Sequence, residues 1–118
     1  MPADHPIKLA VLGLGRSGWN IHVAGVRNDA RFKVVSVFDP AADRRRQAEQ
    51  EIGCQAFDDA DRMLAETDAE VVVVASPSHL HADQTVAALE SGRHVVVEKP
   101  MADSLADADR MIQAADTS

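Results

Sequence analysis

Ile7-Lys8-Leu9-Ala10-Val11-Leu12-Gly13-Leu14-Gly15-Arg16-Ser17-Gly18 is the stretch that decides the fold. A short apolar run meets three glycines spaced G-x-G-x-x-G. Trp19 to Val26 then carries helical spacing, with Ile21, Ala24 and Gly25 on one side. A strand that ends in a glycine turn and opens a helix is the first half of a β-α-β unit. An acid, Asp39, stands twenty-one residues beyond Gly18, at the end of a second apolar run. That combination separates the pattern from a chance cluster of glycines.

The rest of the chain repeats the alternation. Phe32 to Phe38 is rich in β-branched residues and reads as a second strand, closed by Asp39-Pro40. Ala41 to Ile52 reads as an exposed, charged helix, and Cys54 to Phe57 as a short third strand. Asp58 to Ala65 reads as a helix with Asp58 as its N-cap. Val71 to Ala75 is apolar at every position, as a central parallel strand buried on both faces must be. After Pro77 a helix is expected from about His79 to Glu90, with Ala82, Val86 and Leu89 inside and Gly92 at C′. His94 to Val97 is the fifth strand. Ser104-Leu105-Ala106-Asp107 resembles a capping box, and Leu105, Ala108, Met111, Ile112 and Ala115 form the expected buried stripe of the last helix. The expected fold is α/β: one domain over residues 1–118, a doubly wound, Rossmann-like parallel sheet in strand order 3-2-1-4-5, helices on both faces. The sixth strand of a full fold of this type is absent. That would leave the fifth strand as an open edge, through which two copies are expected to pair.

Composition narrows the function. Of the 118 residues 46% are hydrophobic and only 3% aromatic, so the core must be aliphatic. The net charge of −7 argues against nucleic acid, whose binding runs on Lys and Arg neutralising phosphates. Arg44-Arg45-Arg46 sits among Asp43, Glu49 and Glu51 and reads as a solvated helix face. The one cysteine, Cys54, cannot form an internal disulfide and reads as a buried structural thiol. Met1 to Pro6 carries no apolar leader segment, and no run approaches the roughly 20 residues of a membrane span. The expectation is a cytoplasmic protein with no membrane partner.

The glycine loop carries the chemistry. Gly13 allows the tight turn out of the first strand, Gly15 lets a pyrophosphate approach the backbone, and Gly18 lets the helix pack close. Free N–H groups at the helix start then hold the anion, so an acidic domain can still bind an anionic dinucleotide. Leu14, Arg16 and Ser17 complete the loop. Asp39 would accept hydrogen bonds from the adenosine ribose and repel a 2′-phosphate, which favours NAD over NADP. Asp39 before Pro40 also reads as a helix N-cap with proline at N1. Arg44 and Arg45 stand within reach of a 2′-phosphate, so NADP stays open.

Ligands of open parallel sheets bind at the carboxyl ends of the strands. Here these are Ser76-Pro77-Ser78-His79-Leu80-His81 and Glu98-Lys99-Pro100. Lys99 can orient a substrate hydroxyl or assist its proton transfer, or it can be a surface lysine paired with an acid. Glu98 can contact a cofactor or cap the next turn. His79 and His81, two apart, do not face the same way, so no metal is expected. His22 reads as a packed or capping histidine.

Three segments together resemble the N-terminal domain of the Gfo/Idh/MocA oxidoreductases, the group that includes glucose-fructose oxidoreductase and inositol dehydrogenase. They are Gly13 to Gly18 with His22 shortly after, Ser76 to His81, and Gly92-Arg93-His94-Val95-Val96-Val97-Glu98-Lys99-Pro100. The resemblance covers nearly the whole chain. It implies hydride transfer between NAD(P) and a hydroxyl carbon of a sugar, inositol or similar polyol. It implies that Lys99 is the active-site lysine, touching substrate and nicotinamide ribose. Glu98, Ser76, Pro77 and His81 would line the nicotinamide end, with Pro77 and His81 matching a Pro-x-x-x-His pattern and the Lys99–Pro100 bond cis. Ser78 stands where many members have Asn. The family's second domain, with its catalytic histidine and most of the substrate pocket, is not in these residues. The chain is therefore expected to be part of a longer enzyme, binding cofactor alone without turnover. The alternative is a non-catalytic dinucleotide sensor of the same fold.

Overall fold

The computed structural model describes residues 5–118; residues 1–4, on which part of the leader reading rests, lie outside them. Five strands form one sheet: β1 (Ile7–Leu12), β2 (Phe32–Phe38), β3 (Gln55–Phe57), β4 (Val71–Val74) and β5 (His94–Val97). All pairs are parallel, in the order β3-β2-β1-β4-β5. A stretch of π-helix, Gly18–Val23, runs into α1 (Ala24–Val26); α2 (Ala42–Glu51) and α3 (Ala60–Glu66) follow. A 3-10 turn, Ser78–Leu80, leads into α4 (His81–Glu90), and α5 (Leu105–Thr117) ends the chain. None of the described helices is long and apolar enough to cross a membrane.

Alternation along the strands divides the core between the two faces. Ala10, Leu12, Val72 and Val74 pack with Met63 and Leu64 of α3 and Ala88 of α4. Val11, Val34, Val37 and Val73 pack on the other face with Val23 of the first helix and Ala48 of α2. β2 departs from strict alternation. Leu9 pairs with Val34 but Ala10 pairs with Ser36, so Val35 is an extra residue, a bulge. The slip turns Val34 and Val37 to the same face. It also buries Ser36, whose hydroxyl shares a hydrogen with Thr67 Oγ1 at 2.7 Å.

On the first helix the side shared by Ile21, Ala24 and Gly25 faces solvent, and three expectations about side-chain placement further along the chain are corrected. The first helix buries Gly18 and Val23. Asp59, not Asp58, caps α3, its carboxylate accepting from the N–H groups of Asp61 and Arg62. α4 buries Ala82, Thr85 and Ala88, with Val86 and Leu89 only half-buried because they turn toward α5. α5 buries Met111 and Ala114 and leaves Leu105 84% and Ile112 52% exposed, with Ala115 exposed as well. That helix packs mainly on α4 alone, and one neighbour can cover only a narrow stripe. β5 has no partner on its outer side among the described residues, and Val96 is exposed there.

Arg93 fastens the start of β5 to the turn before β4. Its guanidinium donates to the carbonyls of Leu64, Thr67 and Ala69, at 2.9, 2.6 and 3.0 Å, and to Ser91 Oγ. Arg93→Ala leaves those carbonyls without their donor and is expected to cost about 2–3 kcal/mol. Urea denaturation measures it; a loss under about 0.5 kcal/mol, the size of a neutral surface change, would show the contacts to be ornamental.

Candidate functional site

The glycine loop is built by close approach of backbone. Gly13 sits at φ +96°, a left-handed conformation, and its N–H donates to the Phe38 carbonyl at 2.8 Å. A Cβ on Gly13 would lie 2.8 Å from the Ser76 backbone, so the turn after β1 rests directly on the turn after β4. A Cβ on Gly18 would lie 1.7 Å from the Gly13 carbonyl oxygen, which no side chain survives. Gly15 differs. A Cβ there would meet only Arg44 Nη1, at 3.5 Å. Gly13 and Gly18 therefore close the loop, and Gly15 leaves an open wall.

That wall faces a cleft of about 670 Å³ at the carboxyl ends of β1, β2 and β4. The loop contributes Gly13, Gly15, Arg16 and Ser17; Asp39 and Arg44 close one end. Ser76, Pro77, His79 and Leu80 line the side toward β4. The free volume, the exposed loop backbone and the acid at one end fit a dinucleotide laid across the strand ends.

Asp39 is 3% exposed and fixed by the loop it serves. Oδ2 accepts from the Leu14 N–H and Oδ1 from the Ala41 N–H, both at 2.8 Å. It is not the N-cap of α2: that position is Ala41, and Pro40 precedes it. The carboxylate instead spans two residues to Ala41, an Asx-type turn that delays the helix. Arg44 Nη1 stands 3.7 Å from Oδ2, at the cleft, whereas Arg45 donates to the carbonyls of Asp39 and Pro40. Of the two arginines weighed for a 2′-phosphate, Arg44 is the one placed for it. Asp39→Asn leaves one oxygen for two buried N–H donors. We expect a loss of about 2 kcal/mol in chemical denaturation, and a narrower preference for NADH over NADPH. Unchanged stability would mean that the loop does not depend on both bonds.

Of the other expected site residues, Leu14, His81, Glu98 and Lys99 do not line this cleft, and Ser76 lines it with its hydroxyl already engaged. Leu14 is buried behind the loop. His81 is 2% exposed, with Nε2 2.7 Å from the Ser76 carbonyl oxygen and Nδ1 2.8 Å from that of Pro100; both oxygens accept, and a neutral ring donates to one of them. It ties the turn after β4 to the turn after β5. The Ser76 hydroxyl is taken up by Gln84 Oε1 at 2.5 Å. Glu98 extends the β4–β5 ladder, its N–H donating to the Val74 carbonyl. Lys99 is exposed and pairs with no carboxylate among the described residues. The Lys99–Pro100 bond is cis.

His22 is the residue that sequence reasoning undervalued. Its Nε2 lies 2.5 Å from Glu98 Oε2, linking positions 76 residues apart. The signal was its place in the same motif as the glycines, four residues past Gly18. Cys54 is half-buried and burial pushes its thiol up to about 11, as an unreactive thiol requires. No group of three or more His, Cys, Asp or Glu is gathered for a metal among the described residues.

Comparison with known proteins agrees with this geometry. A family model described as "Oxidoreductase family, NAD-binding Rossmann fold" matches residues 7–118. A 4-carboxy-2-hydroxymuconate-6-semialdehyde dehydrogenase of Sphingobium is 31% identical over 108 residues, which are 91% of this chain and 34% of that protein. Among solved structures, the WlbA dehydrogenase of Chromobacterium violaceum, in complex with NADH and UDP-GlcNAcA, superposes with a TM-score of 0.91 at 35% identity. The match covers 97% of this chain and 33% of that one. The scyllo-inositol dehydrogenase of Lactobacillus casei, with NAD(H) and scyllo-inositol bound, gives 0.89 at 29% identity, covering 95% and 33%. The chain thus spans about a third of the length of these relatives.

Proposed function

The chain belongs to the Gfo/Idh/MocA oxidoreductase family, as its NAD-binding Rossmann domain, and from that premise we propose that it serves an enzyme of wider reach. In this reading the domain works in a longer, cytoplasmic polypeptide that exchanges a hydride with a hydroxyl carbon of a sugar, inositol or related polyol. Alone it binds dinucleotide without turnover. The observation that carries the reading is the glycine loop: two glycines closed by backbone contact, the third open onto the cleft, and a fixed carboxylate at its end.

The residues divide the work. Backbone N–H groups of Arg16 and Ser17, at the start of the helical run, face the pyrophosphate. Asp39 accepts from the adenosine ribose, with Arg44 alongside the adenine end. Pro77, His79 and Leu80 form the wall against which the cofactor lies. When bound, the dinucleotide supplies the hydride acceptor or donor. Lys99, at the end of β5 and exposed, orients the substrate hydroxyl and assists its proton transfer. The relatives named above act on substrates as different as a semialdehyde and an inositol. Substrate choice therefore falls to residues outside this domain, and much of the rate comes from the positioning they provide.

The test is a polypeptide carrying both domains, offered NAD⁺ or NADP⁺ with a panel of inositols, sugars and polyols while absorbance at the reduced-nicotinamide band is followed. The reading predicts turnover on at least one polyol or sugar. Tight dinucleotide binding with no turnover across the panel would favour the sensor.

A further inference from the structure

The contact between His22 and Glu98 is not explained by core packing. Both side chains are partly open, 20% and 24% exposed, so burial alone does not force them together. His22 lies on the π-helix that starts at Gly18, and π-helical segments are rare and concentrate at functional sites. Gly18 rests against the Gly13 carbonyl and the Ala75 side chain. One turn further on, His22 reaches across to the end of β5. An ionised carboxylate only accepts, so Nε2 of His22 carries the hydrogen.

The far side of the same turn is also held. His81 stands between the carbonyls of Pro100 and Ser76, with one ring nitrogen against each. Glu98 is thus gripped by its side chain and Pro100 by its carbonyl, with Lys99 between them. The two grips come from different helices: one begins at the glycine loop, the other at the turn after β4. The hydrogen bonds of the two histidines go to Glu98, Pro100 and Ser76, not to Lys99.

We propose that His22 is a positioning residue for the nicotinamide end of the site: by fixing Glu98 it sets the Glu98–Lys99–Pro100 turn relative to the loop that holds the pyrophosphate. The proposal rests on the cofactor reading above. It differs from a structural role in one respect. A structural residue supports the whole cleft, whereas His22 should support only the part of the cofactor beyond the pyrophosphate.

Calorimetric titration of the 118-residue chain with NADH and with ADP-ribose, which lacks the nicotinamide, separates the two. Wild type should bind NADH more tightly than ADP-ribose. In His22→Leu that advantage should fall roughly fivefold, the worth of one hydrogen bond, while the ADP-ribose Kd stays within about twofold. His22→Gln places an N–H at similar reach and should recover most of it. Glu98→Ala should match His22→Leu, and the double variant should lose no more than either. An unchanged advantage in His22→Leu, an equal loss for both ligands, or no recovery with His22→Gln would overturn the proposal. If His22→Leu does not fold, Glu98→Ala against His22→Gln decides it on the same ratio. Should folded wild type bind neither ligand, the cofactor reading fails and this inference falls with it.

Discussion

Gly18→Ala is expected to cost about 3–5 kcal/mol, enough to unfold much of the chain at room temperature. The added Cβ would stand 1.7 Å from the Gly13 carbonyl oxygen and 2.8 Å from its carbon. Neither can step aside. Gly13 is pinned by its hydrogen bond to Phe38 and by backbone contact with Ser76, and any shift would carry β1 with it. A packed interior resolves such an overlap only by moving backbone. Two other glycines make the controls. Gly25→Ala meets nothing within 4 Å and lies in a helix, so it should be neutral or stabilise by up to about 1 kcal/mol. Gly15→Ala meets only a mobile arginine tip, so the chain should fold while NADH binding is lost. Thermal denaturation and NADH titration of the three variants check the set. Equal stability of Gly18→Ala and wild type would mean that the loop is not closed as described.

Lys99→Ala should separate binding from chemistry. In the two-domain protein, turnover is expected to fall by roughly 10²–10⁴, the range for a positioned proton-transfer group. NADH affinity of the 118-residue chain should fall no further than in His22→Leu, roughly fivefold, because Lys99 lies on the turn at the nicotinamide end and not in the cleft beside the glycine loop. A sensor would show the opposite economy of residues, with no output depending on Lys99. Turnover within a few-fold of wild type would remove Lys99 from the reaction and leave its motif without a chemical role.

Much of this fold is legible in the chain because parallel strands must be apolar on both faces. Val71 to Val74 announces a central position, and strand order follows from right-handed crossovers. The glycine loop and Asp39 are legible because backbone approach demands glycine at fixed spacing. What was not legible depends on partners distant in sequence. The stripe on α5 has the periodicity of a buried face, but burial depends on what lies beside it, and among the described residues that is mainly α4. Asp58 and Asp59 are equally good caps by type, and backbone conformation selects Asp59. The bulge at Val35 comes from pairing with β1, which local propensity does not encode. His22 and Glu98 each look ordinary until the fold brings them together.

The most direct measurement is titration of the folded 118-residue chain with NADH and, separately, NADPH, following nicotinamide fluorescence and confirmed by calorimetry. Saturable binding that favours NADH is the result expected from an open wall at Gly15 and a fixed carboxylate at Asp39. Binding of neither nucleotide, by a chain shown to be folded, would contradict the claim that this domain holds the cofactor.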